Sequence, residues 1–230
     1  MLKILKLFIK LALLAAVVGA GFYVHRTYRN VKNVMQYEKS VDATLKAQGL
    51  EGDTKLALAI IYTETKGNAV DVMQSSESLN GNQNSISDED KSIAQGVSNL
   101  CKVLEYAEDK KVDIWTGVQA YNFGQSYIDY VAKNGGKNNL ELAEKYSRTV
   151  VAPSLGNTTN ATYYHVTVDS LMNSGGKLYV NGGNMYYANE VKWHLMLLNL
   201  FNRELPLSII FESLIKAPEI YFNLEPISCS

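Results

Sequence analysis

The first 24 residues set the terms on which the rest of this chain can fold. Lys3, Lys6 and Lys10 precede an uncharged run from Leu11 to Val24, and Leu7-Phe8-Ile9 extends its apolar side. Counted from Leu7 to Val24 the run has 18 residues. An apolar helix of that length comes close to spanning a bilayer once Lys10 snorkels toward the interface. Three lysines in the first ten residues argue against a buried core helix. Two readings stay open. Phe22-Tyr23 at the far interface, with a basic continuation through Arg26, Arg29 and Lys32, favours an uncleaved anchor over residues 1–30. Val18-Gly19-Ala20 also fits the small-residue preference of a secretory signal cleaved after Ala20. Flanking charge orients the segment only weakly, but both readings send the body outside the cytoplasm.

Of 230 residues, 47% are hydrophobic and 20% charged, enough for one good core and an appendage. Seven of the 22 Lys and Arg lie in the first 40 residues, against one of the 23 Asp and Glu. The body is therefore acidic, which argues against nucleic acid as a partner. Cys101 and Cys229 stand far apart, and His25, His165 and His194 are isolated. None has metal-ligand spacing, so neither a zinc site nor another cofactor is expected.

The body reads as a run of helices joined by polar loops. A linker helix is expected over 31–44, continuing toward Leu50, with Val34, Tyr37, Val41 and Leu45 along one face. Asp53 is a candidate N-cap for an apolar helix that runs to Lys66 and stops at Gly67. Asp71 to Glu89 is a long polar loop. Ser92 to Lys110 carries Ile93, Val97, Leu100, Cys101 and Leu104 at helical spacing. Shorter helices are expected after Asp113, over Ser126–Lys133, over Leu140–Val151 ended by Pro153, and over Met185–Asn199. Leu155 to Gly183 is loop-rich, and no strand alternation is sustained. The expected class is all-α, with a body over 45–192 and an apolar tail over 193–230 that has no assigned role.

Glu64 carries the chemistry. A carboxylate in the last turn of a helix lies at the end of the dipole where negative charge is disfavoured. Desolvation in a groove adds to that effect, and both raise its pKa. A Glu kept protonated near neutral pH is what a general acid for glycosidic bond cleavage requires.

Four segments together resemble a known family. Glu64-Thr65-Lys66-Gly67-Asn68 is similar to the Glu-Ser-x-Gly-Asn motif of goose-type lysozymes and soluble lytic transglycosylases. Asp71-Val72-Met73-Gln74 is similar to their Gly-Leu-Met-Gln element, with Asp where Gly is usual, and Ala120-Tyr121-Asn122-Phe123-Gly124 to their Ala-Tyr-Asn-x-Gly element. Tyr146 falls where those enzymes place a groove tyrosine. Met73-Gln74-Ser75-Ser76-Glu77-Ser78 and Ser92-Ile93-Ala94-Gln95-Gly96-Val97 look like elements of the lysozyme-like domain of Gram-positive cell-wall hydrolases. That group includes membrane-anchored surface proteins and the muramidase half of two-domain wall hydrolases. The resemblance implies a helical, lysozyme-like fold with a groove for peptidoglycan glycan strands. It implies Glu64 as catalytic acid and Met73, Gln74, Ser75, Ser76, Glu77, Tyr121, Asn122 and Tyr146 as substrate contacts.

The second carboxylate decides the reaction. Transglycosylases of this fold use one Glu, whereas an inverting hydrolase needs a base across the sugar, about 6.5–9.5 Å from the acid. Asp71 is the first candidate, Glu77 the second and Asp88 a distant third. A loop-forming Asx turn is the competing role for Asp71. The expectation is a muramidase with Glu64 and Asp71 as its catalytic pair. A lytic transglycosylase and an inactive glycan-binding surface protein remain as alternatives.

Overall fold

A computed structural model describes residues 2–49, 53–81 and 85–201. In it the apolar N-terminal run and the start of the body are one continuous helix, α1 (Leu2–Met35). Its side chains are exposed from Ile4 to Phe22, whereas Thr27, Val31 and Val34 are buried. Nothing between those two stretches breaks a helix. A turn at Gln36-Tyr37 then separates α1 from α2 (Glu38–Ala47). The single linker helix expected here is thus two, and Leu50 lies outside the described residues. The turn preserves the shared apolar face, because Val34, Tyr37, Val41 and Leu45 all reach the core.

α3 (Thr54–Glu64) starts where Asp53 accepts the free N–H groups of Lys55 at 2.6 Å and Leu56 at 3.3 Å. Every residue from Leu56 to Tyr62 is buried, so this helix is apolar all round and runs through the centre of the body. It ends in two left-handed residues, Lys66 and Gly67, as the glycine stop implied. α4 (Ser76–Asn80) is a short turn inside the polar loop. α5 (Glu89–Asp109) begins three residues before the apolar periodicity, because Asp88 caps it through Lys91 N–H at 2.9 Å. α6 (Ile114–Phe123) stops at Gly124 (φ 82°) and leads into α7 (Ser126–Ala132). α8 (Leu140–Tyr146), capped by Asn139, widens into a π turn (Ser147–Val151) before α9 (Ala152–Ser154).

The segment expected as loop holds a small antiparallel hairpin, β1 (Thr162–Tyr164) with β2 (Lys177–Tyr179), around α10 (Val168–Ser174). Thr162 pairs with Tyr179 and Tyr164 with Lys177. Three residues per strand are too few for alternation to be seen in sequence. The fold is otherwise helical, as expected. α11 (Tyr187–Phe201) closes it. Leu195, Met196, Leu197, Leu198, Leu200 and Phe201 are core residues, so the body runs nine residues past the expected boundary at 192. The rest of the apolar tail, from residue 202, lies outside the described residues.

The core has two parts. One gathers the end of α1 with α2, α3, α5 and α11, and the other centres on α7 and α8 with Phe123, Leu178 and Tyr186. Tyr121 packs against both and so marks the seam between them.

Candidate active site

The end of α3 brings Glu64 to the start of α11. There the Tyr187 hydroxyl donates to Glu64 Oε1 at 2.5 Å across 123 residues of sequence. Tyr187 is buried and stacks on Tyr121, with ring centroids 6.2 Å apart. Burial pushes the Glu64 carboxyl up to about 7. The Tyr187 hydrogen bond opposes that rise, and the nearby charges of Asp71 and Glu190 add to it. Glu64 is thus about half protonated at neutral pH, where a free Glu would be almost wholly ionised, which suits a proton donor.

Asp71 is buried, and its environment does the opposite. Oδ1 accepts from Ser75 N–H at 2.9 Å and from the Ser92 hydroxyl at 2.7 Å. Oδ2 accepts from Ser76 N–H at 3.1 Å and from the Ser76 hydroxyl. The Ser75 hydroxyl is 3.3 Å from Oδ1 but 3.0 Å from the Ser92 carbonyl, and it has one proton to give. Burial alone would raise the Asp71 pKa. The hydrogen bonds from Ser76, Ser92 and Ser75 outweigh it and hold the carboxyl below its usual range. About four lone-pair sites belong to a carboxylate, and four donors fill them.

The expected substrate contacts divide. Gln74 and Asn122 are exposed and Tyr121 is half-buried, with its hydroxyl on the Met73 carbonyl at 2.9 Å. The side chains of Met73, Ser75, Ser76 and Tyr146, expected as substrate contacts, are buried. Met73 fills the space over Gly96, where an added Cβ would come within 2.5 Å of its sulfur. Ser75 and Ser76 face inward to Asp71. Tyr146 sits among Phe123, Tyr127 and Tyr130, its ring centroid 5.0 Å from the latter two. The tyrosine that bonds Glu64 is Tyr187. Glu77 falls in α4, and its side chain lies outside the described ones. Asp88 is an exposed helix cap.

Several residues were missed in sequence. Asn184 N–H donates to Asn122 Oδ1 at 2.7 Å, and Asn184 Nδ2 donates to Glu190 Oε2 at 2.8 Å. His165, from the hairpin, pairs with Glu190 Oε1 at 2.8 Å. That bond raises the His165 pKa above its ordinary value, ahead of the opposing burial. Gln119 is fully buried. Its Nε2 donates to the Asn184 carbonyl at 2.8 Å and its Oε1 accepts Ala188 N–H at 3.1 Å. It therefore fixes the first turn of α11, and with it Tyr187. Only the Tyr186-Tyr187 pair at the start of a periodic helix hinted at this in sequence. Among the described residues no group of three or more His, Cys, Asp or Glu could hold a metal ion.

The sequence model of a family described as Lysozyme-like matches residues 31–195. A pneumococcal vaccine antigen A homolog of Streptococcus pyogenes is 51% identical over 190 residues, covering 83% of this chain and 94% of the relative. The bifunctional muramidase/DL-endopeptidase CwlT of Bacillus subtilis is 34% identical over 131 residues, 57% of this chain and 39% of that protein. Among solved structures, a Staphylococcus aureus protein described as similar to a lipoprotein of the NLP/P60 family superposes with a TM-score of 0.63 at 34% identity. The match covers 71% of this chain and about half, 52%, of the other.

Proposed function

The chain belongs to the lysozyme-like family, and from that premise we propose that it is a peptidoglycan muramidase. It hydrolyses the β-1,4 bond between N-acetylmuramic acid and N-acetylglucosamine, with Glu64 as general acid. The observation that carries this reading is the divergence of two neighbouring carboxyl groups, Glu64 raised to about 7 and Asp71 lowered. Environments that push paired carboxyl pKa values apart assign one as proton donor and the other as the group ionised at the start of the reaction. The similarity to a protein named as a muramidase points the same way.

In this reaction Glu64 gives its proton to the glycosidic oxygen as the bond to the muramic acid C1 breaks. Asp71 stays ionised and stabilises the positive charge that develops on the sugar. Water adds at C1 and loses its proton to Asp71, which frees a lone pair when the Ser76 or Ser92 hydroxyl turns away. Gln74 and Asn122, both exposed, hydrogen-bond the sugar amides, and Tyr121, stacked on the Tyr187 that bonds Glu64, contributes an apolar face.

The filled lone pairs of Asp71 favour a second reading, a lytic transglycosylase. There the 6-hydroxyl of the muramic acid attacks C1 and returns its proton to Glu64, leaving an anhydro end. Mass spectrometry of muropeptides released by the full chain separates the two. Reducing ends are the expected result, and predominantly 1,6-anhydro ends would overturn hydrolysis. No release at all would leave a glycan-binding surface protein. α1, the described helix long and apolar enough to cross a bilayer, anchors the enzyme with its body outside the cytoplasm.

A further inference from the structure

We infer that this site works on glycan still held at the membrane, so that its substrate is the nascent, lipid-linked strand rather than the cross-linked wall beyond. This rests on the glycosidase reading of Glu64 and the anchor reading of α1, and adds a fixed height to them. The helix leaving the apolar run does not pass into a flexible linker. It continues to Met35, and its last turns belong to the core through Val31 and Val34, with Val24 and Met35 packed partly against the same cluster.

The docking is to the catalytic end of α3. Asn30 Nδ2 lies 3.4 Å from the Tyr62 hydroxyl, and Asn33 Nδ2 lies 3.2 Å from Asn68 Oδ1. At Gly67 the two segments are so close that an added Cβ would stand 3.0 Å from the Asn33 carbonyl oxygen and 3.2 Å from the Tyr37 ring. Glu64 lies between Tyr62 and Asn68 in sequence, and we take its height along α1 from these two contacts, near Asn30 to Asn33. Lower on the same helix, Tyr28 meets Phe201 of α11, with ring centroids 6.3 Å apart.

The apolar run ends at Val24, six to nine residues below Asn30 and Asn33. At about 1.5 Å per residue, Glu64 is held about 9–14 Å above the hydrocarbon edge. The headgroup layer on each side takes up about 5–8 Å of that height. Exposed Arg26, Arg29 and Lys32 occupy the intervening turns, where anionic headgroups attract them. A strand tied to the bilayer by its lipid end presents its first sugars at this height. Cross-linked wall has to be brought down to it, because a continuous helix packed into the core cannot lift the site.

The test uses the full chain in liposomes, with lipid-linked glycan polymer in the same bilayer and washed wall sacculi outside. A companion variant carries an 18-residue helical insertion after His25, five turns that raise the site by about 27 Å and restore its orientation. The native chain is expected to cut the co-embedded polymer about 10²-fold faster than sacculi. It should leave short lipid-linked stubs, and the insertion variant should leave stubs longer by the added height. Both chains should cut detergent-dispersed polymer equally. Equal stub lengths, or equal rates on sacculi and bilayer polymer, would overturn the inference. Inactivity of both chains on dispersed polymer would instead sink the glycosidase reading. Release of the chain from liposomes by alkaline carbonate would sink the anchor, and either failure takes the inference with it.

Discussion

At the scale of single residues, Glu64 was legible because its neighbours are local: an apolar helix before it and a left-handed turn after it. Its partner was not. Tyr187 is 123 residues away, and no local pattern distinguishes it from Tyr146, which the fold spends on an aromatic core. Glu64→Gln should lower activity by at least about 10²–10⁴-fold while the protein stays folded, measured by release of muropeptides. The same variant should gain stability on the alkaline side. Glu64 titrates near 4.5 when unfolded and about 7 when folded, so its stabilising contribution is full below 4.5 and lost as pH rises through 7. Removing that titration is worth at most about 3 kcal/mol above pH 7. Tyr187→Phe removes a hydrogen bond that favours the ionised acid, so the alkaline limb of the pH–rate profile should move up. Glu190→Gln removes a repelling charge, so the limb should move down. Unmoved limbs in both variants would show that these neighbours do not tune Glu64.

At the scale of elements, the sequence placed the helices but not what their turns are built around. The segment from Asp71 to Glu89 reads as a long polar loop, yet its Asp71, Met73, Ser75 and Ser76 are buried and anchored on Ser92 of α5. Serine and aspartate carry no apolar periodicity, so a buried polar knot is invisible to a reading by hydrophobic spacing. Its tightness can be tested at Gly96, where a Cβ would lie 2.5 Å from Met73 Sδ and 2.6 Å from its Cβ. Gly96→Ala should cost about 1–3 kcal/mol by denaturant unfolding, because the Met73 Cβ cannot swing aside as a chain end could. Activity should fall further than stability as the loop holding Asp71 shifts. Gly67→Ala combines a left-handed φ of 69° with the Asn33 contact, and should cost about 1–2 kcal/mol or more.

At the scale of the whole molecule, the titrations of buried groups act together. Glu64 and His165 both have raised folded pKa values. Both therefore stabilise the fold in acid and lose that contribution as pH rises, Glu64 between about 4.5 and 7 and His165 from its ordinary 6.5 upward. Asp71, with a lowered folded pKa, contributes above its ordinary 3.8 and loses that contribution as pH falls through the folded value. His194, its pKa pushed down to about 3 by desolvation, opposes Glu64 and His165 below its ordinary 6.5. The detergent-solubilised full chain should therefore melt at a higher temperature at pH 6.5 than at pH 8, and lower again in strong acid. A melting temperature that rises steadily to pH 8 would contradict the environments of Glu64 and His165. The sequence by itself determined the apolar span, the helical class and the carboxylate of Glu64 at a helix end. Each of these is written in spacing or chain neighbours, within the reach of a few turns. Only the tertiary structure decided which tyrosine meets Glu64, how Asp71 spends its lone pairs, and that the helix carrying the apolar span is continuous with one packed into the core of the body. Those are contacts between distant segments, and the desolvation that sets a pKa exists only once the segments have closed around the group.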